Sequence, residues 1–387
     1  MFKLHLETTE LGFFYLFDIY LFDMLLTDHL PGRTLMMNEE EYLFFSGTSY
    51  LGMGHQPEFK AALIEGMNRY GTIYSASRNN NLQLEIYSTA EKYLAEINKA
   101  EATLTVSSGL LAGQLVVKSL SEHHFIYAPS VHPALWNEVK ISGQFLDYQD
   151  FYTKINEFLL TTIKPVVICC NSVDPLHCIT YDFGWISSLP KNKDITLIFD
   201  DSHAIGITTD LLSTDPDHTH GKGNFNKFLQ LAGSNVNVIV VSSFAKALGI
   251  PGGIIMGKLE TINKIRNSPF FVGASPIVPA YLHAFMHSSK LYCTAKEALQ
   301  KNIASFKKLN RDILYHFRYL REYPVFYTER DDVYNLLFRE KIMISSFAYP
   351  NPDDKPLTRI VLSALHSEAD IHHLSVKLHS IFSKEIS

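Results

Sequence analysis

From about residue 55 onward, helix-like and strand-like patterns of apolar residues alternate along the chain. The stretch EFKAALIEGMNRYG carries apolar positions at helical spacing and closes on Gly71, a glycine suited to a helix C-cap. A second amphipathic pattern follows in NLQLEIYSTAEKYLAEINK. Then come five short apolar or β-branched runs, ATLTV, HFIYA, VVICC, ITLIF and VNVIVV. Each gives way to small or polar residues and then to another helix-like stretch. That rhythm predicts an α/β fold with a mostly parallel, doubly wound sheet and helices on both faces.

The last helix is expected in SEADIHHLSVKLHSIF, with Ser367 and Asp370 as a capping box and Ile371, Leu374, Leu378 and Ile381 as its apolar face. His366, His372 and His373 read as ordinary residues of that helix surface rather than metal ligands. His218 and His220 read as part of a solvated loop, TTDLLSTDPDHTHGKGN, because no third ligand stands at a recognisable spacing. No metal site is expected. The most apolar segment, LGFFYLFDIYLFDMLL, is interrupted by Asp18 and Asp23 and is too short to span a bilayer. It is expected to pack as an amphipathic helix on another domain or subunit, with membrane attachment the lesser reading.

At 387 residues, two domains are expected rather than one. A net charge of −6 and the lack of a basic stripe argue against nucleic acid as the main partner. Four cysteines without CxxC spacing, two of them adjacent in a strand-like run, point to a reducing, cytoplasmic compartment without disulfides.

In sheets of this kind ligands bind at the carboxyl ends of the strands. Serines, histidines, acids and one lysine gather there: SSG after the first run, then PSVH, NSVD, DDSH and SSFAK. Ser108 and Gly109 stand where a strand opens into a helix, whose free N–H groups and dipole suit a phosphate. Ser243 can add a hydroxyl to the same anion. Asp200 ends a strand of buried character, and a carboxylate there needs a cation such as a pyridinium nitrogen. His203, three residues on, can reach a second polar atom of that ring; the plainer reading is that Asp201 or Ser202 merely opens a helix. Lys246 lies among small and apolar neighbours, where desolvation disfavours its charged form and leaves a nucleophilic amine fit for a Schiff base. Together these specify pyridoxal 5'-phosphate better than a nucleotide, since neither GxGxxG nor a Walker pattern is present.

With these residues in place the chain resembles the α-oxoamine synthase family of the aspartate-aminotransferase fold. The likeness rests on SYLGM, IFDDSHAIG, SSFAKALGIPGG and RIVLSALH, in family order. It implies a pyridoxal phosphate-binding large domain over 46–265, a smaller α+β C-terminal domain over 266–387, and an N-terminal segment, 1–45, packed on these or on a partner subunit. It further implies that Lys246 is the aldimine lysine and Asp200 the partner of the ring nitrogen. His203 and Ser172 would meet the ring's 3′-oxygen, and His132 would stack on the ring. Leu110 takes the place of an aromatic residue in the phosphate loop, and Gly113 that of an asparagine. Ser243 and, from a second copy, Ser275 would supply phosphate hydroxyls, implying a homodimer with shared sites. Arg359 would bind the amino-acid carboxylate, and Thr48 stands where the family has an asparagine near the substrate.

The reaction so implied is decarboxylative condensation of a small amino acid with an acyl thioester, carried on CoA or an acyl carrier protein. Transamination or a lyase step on the same cofactor is the alternative reading. A non-catalytic paralogue acting as a subunit is the third, and the presence of Lys246, Asp200 and His203 speaks against it.

Overall fold

The computed structural model describes residues 25–138, 144–207, 220–349 and 353–383. Most of the apolar N-terminal segment, and His218, lie outside the described residues. The described chain enters through a hairpin, β1 (Thr34–Met37) and β2 (Glu40–Phe45), whose two-residue turn places Asn38 and Glu39 at positive φ. Left-handed residues in a tight turn match the twist of the two strands.

The main sheet follows. All five apolar runs become strands: β3 (Ala102–Val106), β4 (His124–Tyr127), β5 (Val166–Asn171), β6 (Ile195–Asp200) and β7 (Val236–Ser243). Strands β4 to β7 pair in parallel, and β8 (Gly253–Gly257) lies antiparallel between β7 and β3. Strands buried on both faces read as unbroken apolar runs, which is why the pattern was legible. Cys169 and Cys170 are buried in β5. The second sheet joins β1 and β2 to β9 (Arg318–Tyr319), β10 (Val325–Thr328), β11 (Ile342–Ala348) and β12 (Pro356–Val361) in the order β1-β2-β11-β12-β10-β9.

The first expected helix spans Pro57–Tyr70, with Pro57 in its first turn and Gly71 at φ 76 behind it. It packs on the helix Pro279–Met286 at Gly66, where a Cβ would stand 2.8 Å from the Ala280 carbonyl. The second spans Glu85–Asn98. The final helix, Glu368–Phe382, carries the expected Ser367–Asp370 capping box, and Ile371, Leu374 and Leu378 are buried.

Two histidine readings are corrected. His372 and His373 are exposed, but His366 is buried: its Nδ1 accepts from the Ser363 N–H at 3.0 Å and its Nε2 donates to the Phe44 carbonyl at 2.9 Å. It ties the second sheet to the turn before the last helix. His220 is also buried rather than solvated, paired with the Tyr93 hydroxyl and stacked on Tyr292. Among the described residues, no helix is long and apolar enough to cross a membrane.

Candidate active site

The carboxyl ends of β5, β6 and β7 lie side by side, with Asn171 in register with Asp200 and Asp200 with Val241. A cavity of about 230 Å³ opens there. Six sequence-predicted residues line it together: Thr48, His132, Asp200, His203, Lys246 and Arg359.

Asp200 ends β6, and its Oδ1 accepts from the Ser202 N–H at 2.9 Å. Its Oδ2 lies 3.8 Å from Nδ1 of His132. That nitrogen also accepts from the Ala134 N–H at 3.1 Å, capping the short turn Pro133–Leu135 and fixing the imidazole ring. Burial lowers the pKa of His132 and Lys246 pushes the same way, against the pull of Asp200. The alternative that Asp201 or Ser202 opens a helix is not what the chain does. A series of turns follows β6, and Asp201 is buried, accepting from the backbone and side-chain N–H groups of Asn224 at 2.9 and 2.8 Å. Burial raises its pKa to about 6, although the nearby Ser172 hydroxyl and the Asn224 hydrogen bonds oppose the rise.

Lys246 follows the end of β7 by three residues. Its ammonium makes no hydrogen bond or ion pair among the described residues, and burial lowers its pKa, with Asp200 the opposing influence. The loop that carries it is pinned by the Phe244 N–H to the Gly252 carbonyl, 2.9 Å. It turns at Gly249, φ 67, where a Cβ would stand 2.7 Å from that of Met53.

Beside the cavity, the helix Gly109–Ser119 begins against the end of β7. Ser108 caps it, its Oγ accepting from the Leu111 N–H at 3.1 Å. A Cβ on Gly109 would stand 2.5 Å from that of Ser243, so only glycine allows this approach. Gly113 allows another, since a Cβ there would meet the Ala134 carbonyl at 2.3 Å. The helix therefore rests directly on the segment that carries His132. Leu110 is exposed.

Arg359, on β12, is buried, and its guanidinium sits over the Phe347 ring at 5.2 Å. One terminal nitrogen donates to the Pro175 carbonyl, while Nε has no partner and no acid pairs with the group among the described residues. A buried cation without an anion is costly, so the site is built for an incoming anion.

Six predicted residues do not line this cavity: Ser108, Gly109, Leu110 and Ser243, at the helix start just described, and Ser172 and Ser275. Ser275 is exposed and away from it. Ser172 is buried but lines a separate cavity of about 310 Å³ on the far side of Val173. The reason is strand alternation: successive residues face opposite sides, and Asn171 takes the near side. Asn171 donates to the Ser130 carbonyl at 2.7 Å and accepts from the His132 N–H at 3.2 Å, holding the His132 segment over the sheet. Sequence reasoning missed Asn171, although its place as the last residue of a strand ending beside Asp200 was the signal. Tyr50 was missed as well. Fully buried, its hydroxyl bonds Nδ1 of His203 at 2.9 Å and the Tyr323 hydroxyl at 3.2 Å.

Fold and cavity together define a protein that presents a lysine, an acid, two histidines and a buried arginine at the end of a mainly parallel sheet. The chain belongs to the aminotransferase class I and II family, whose model matches residues 44–378. It is 24% identical over 370 residues to 8-amino-7-oxononanoate synthase of Petrotoga mobilis, covering 90% of this chain and 91% of that protein. Among solved structures, Sphingomonas wittichii serine palmitoyltransferase is similar with a TM-score of 0.76 at 17% identity, covering 95% of this chain and 94% of that one. A serine palmitoyltransferase solved with pyridoxal phosphate matches with a TM-score of 0.76 at 15% identity, over 95% and 94% of the two chains. The aspartate-aminotransferase-like fold expected from the sequence is the fold found.

Proposed function

We propose that this chain is a pyridoxal phosphate enzyme of the α-oxoamine synthase type, joining a small amino acid to an acyl thioester with loss of carbon dioxide. The observation that carries the reading is Lys246: a half-buried amine, unpartnered among the described residues, in one cavity with Asp200, two histidines and the unpaired Nε of Arg359. The donor set fits the cofactor, because a lysine awaiting a carbonyl, an acid awaiting a ring cation and a glycine-built anion cradle are all present. The names of the relatives support the condensation chemistry.

In this reading Ser108, Gly109 and Ser243 hold the phosphate, and Asp200 keeps a proton on the ring nitrogen. His132 covers the ring and His203 faces its oxygen, a place the sequence had also given to Ser172. Bound pyridoxal phosphate supplies an aldehyde for amines and an electron sink for the bond broken at the amino acid's α-carbon. Lys246, with its proton affinity reduced by burial, takes the proton from that α-carbon. Arg359 receives the carboxylate through its free nitrogens, in the forked geometry guanidinium suits. Thr48 borders the substrate end of the cavity. Ser275 serves a second copy in a homodimer, the large and small domains divide near residue 265, and the cytoplasm is the compartment.

Incubation with pyridoxal phosphate, reduction with borohydride and peptide mass analysis test the assignment. Modification at Lys246 is expected. A protein that stays colourless and unmodified refutes it.

A further inference from the structure

His203 lines the cavity, and behind it runs a chain of two buried phenols, Tyr50 and Tyr323. Tyr323 belongs to the strand-bearing segment just before β10 and lies far from Tyr50 in sequence, so the pair is a product of the fold. Each hydroxyl has one proton to give. Tyr50 touches two partners, Nδ1 of His203 and the Tyr323 oxygen, and can donate to only one of them.

Two arrangements satisfy both hydrogen bonds. In the first, Tyr323 donates to Tyr50 and Tyr50 donates to Nδ1, so the neutral imidazole carries its proton on Nε2. In the second, Nδ1–H donates to Tyr50 and Tyr50 to Tyr323. The second leaves the Tyr323 proton without an acceptor among the described residues, because Tyr50 is the only partner of that hydroxyl. Buried O–H groups without acceptors are rare because they forfeit their hydration for nothing. The first arrangement uses both hydroxyl protons, and the one proton it leaves unpaired, Nε2–H, opens to the cavity instead of being buried.

We infer that Tyr50, with Tyr323 donating to it from behind, is the positioning residue that fixes His203 as the Nε2–H tautomer, so that it meets the cavity as a hydrogen-bond donor. Nε2 makes no hydrogen bond within the described chain. The imidazole is held neutral first by burial and then by the charges of Lys246, Arg359 and His132. A neutral donor suits an anionic oxygen in the cavity and does not compete with Lys246 for its proton. The tautomer assignment stands on the hydrogen-bond chain alone, and the oxygen it serves rests on the function proposed above.

The test is nitrogen-detected NMR of the full-length protein labelled with ¹⁵N-histidine, with His203→Asn identifying the signal. Expected are an unprotonated Nδ1 and a protonated Nε2 for His203 in the wild type. Tyr323→Phe keeps that pattern, because Tyr50 still donates, whereas Tyr50→Phe moves the two nitrogens toward a mixed tautomer. A wild-type His203 protonated on Nδ1 overturns the inference, and so does an unchanged pattern in Tyr50→Phe. The wild-type and Tyr323→Phe spectra decide it even if Tyr50→Phe fails to fold. Failure here with Lys246 still modified by pyridoxal phosphate leaves the proposed function intact; success without modification separates the two the other way.

Discussion

Gly109 and Ser243 meet where the first helix after β3 is pressed against the end of β7, leaving no room for a Cβ between them. Gly109→Ala therefore forces either the helix start or the Ser243 strand end outward. Overpacking of this kind costs about 1–3 kcal/mol. A titration of pyridoxal phosphate by absorbance is expected to show affinity reduced roughly tenfold or more, with secondary structure retained.

Arg359 is a buried cation whose only hydrogen-bond acceptor among the described residues is the Pro175 carbonyl. Arg359→Met removes the anion's partner and should lower kcat/KM for the amino acid by about two orders of magnitude, as when one member of a buried charge pair is cut away. The same substitution relieves an uncompensated buried charge. Thermal denaturation without amino acid should therefore show a melting temperature equal to or above wild type.

Asn171 and Ser172 are neighbours with opposite prospects. Asn171→Ala removes the two bonds that hold Ser130 and His132 over the sheet end, worth about 1–3 kcal/mol when a buried partner is stranded. Steady-state kinetics should show activity lowered by roughly one to two orders of magnitude. Ser172→Ala, facing away from the cavity, should leave the same assay nearly unchanged.

His366 gives the fold a pH dependence of defined sign. Burial lowers its pKa to about 4 from 6.5, although the hydrogen bond to Phe44 opposes the fall. Its Nδ1 accepts from the Ser363 N–H, so a second ring proton would point at another donor. Between about pH 6.5 and 4 the unfolded chain binds the proton more readily than the folded one. The contribution is complete above pH 6.5 and is lost as pH falls to 4, about 3 kcal/mol in all. Denaturant unfolding across that range should show the loss in wild type and a flatter profile in His366→Gln.

The strands were legible because β4 to β7 are buried on both faces, which writes them as unbroken runs of apolar residues. The cavity was legible for a related reason: the polar residues that end those runs must share one edge. What the linear pattern did not carry was direction. Ser172 and Asn171 differ by one residue and by a whole face of the sheet. His366 shares a neighbourhood with exposed histidines yet turns inward, because its partner Phe44 comes from a separate part of the chain, 322 residues away. Tyr50 stood within the SYLGM motif, but its partner Tyr323 is 273 residues away. Contacts of that span leave no local mark.

The central claim is that Lys246 and Arg359 serve a condensation that releases both a thiol and carbon dioxide. The direct measurement incubates the cofactor-loaded protein with carboxyl-labelled glycine, alanine or serine and a panel of acyl-CoA and acyl-carrier donors, and counts both products. The account predicts equal amounts of free thiol and labelled carbon dioxide with one amino acid–donor pair, and neither product from Lys246→Ala. A keto acid with pyridoxamine phosphate, and no thiol from any pair, would contradict it.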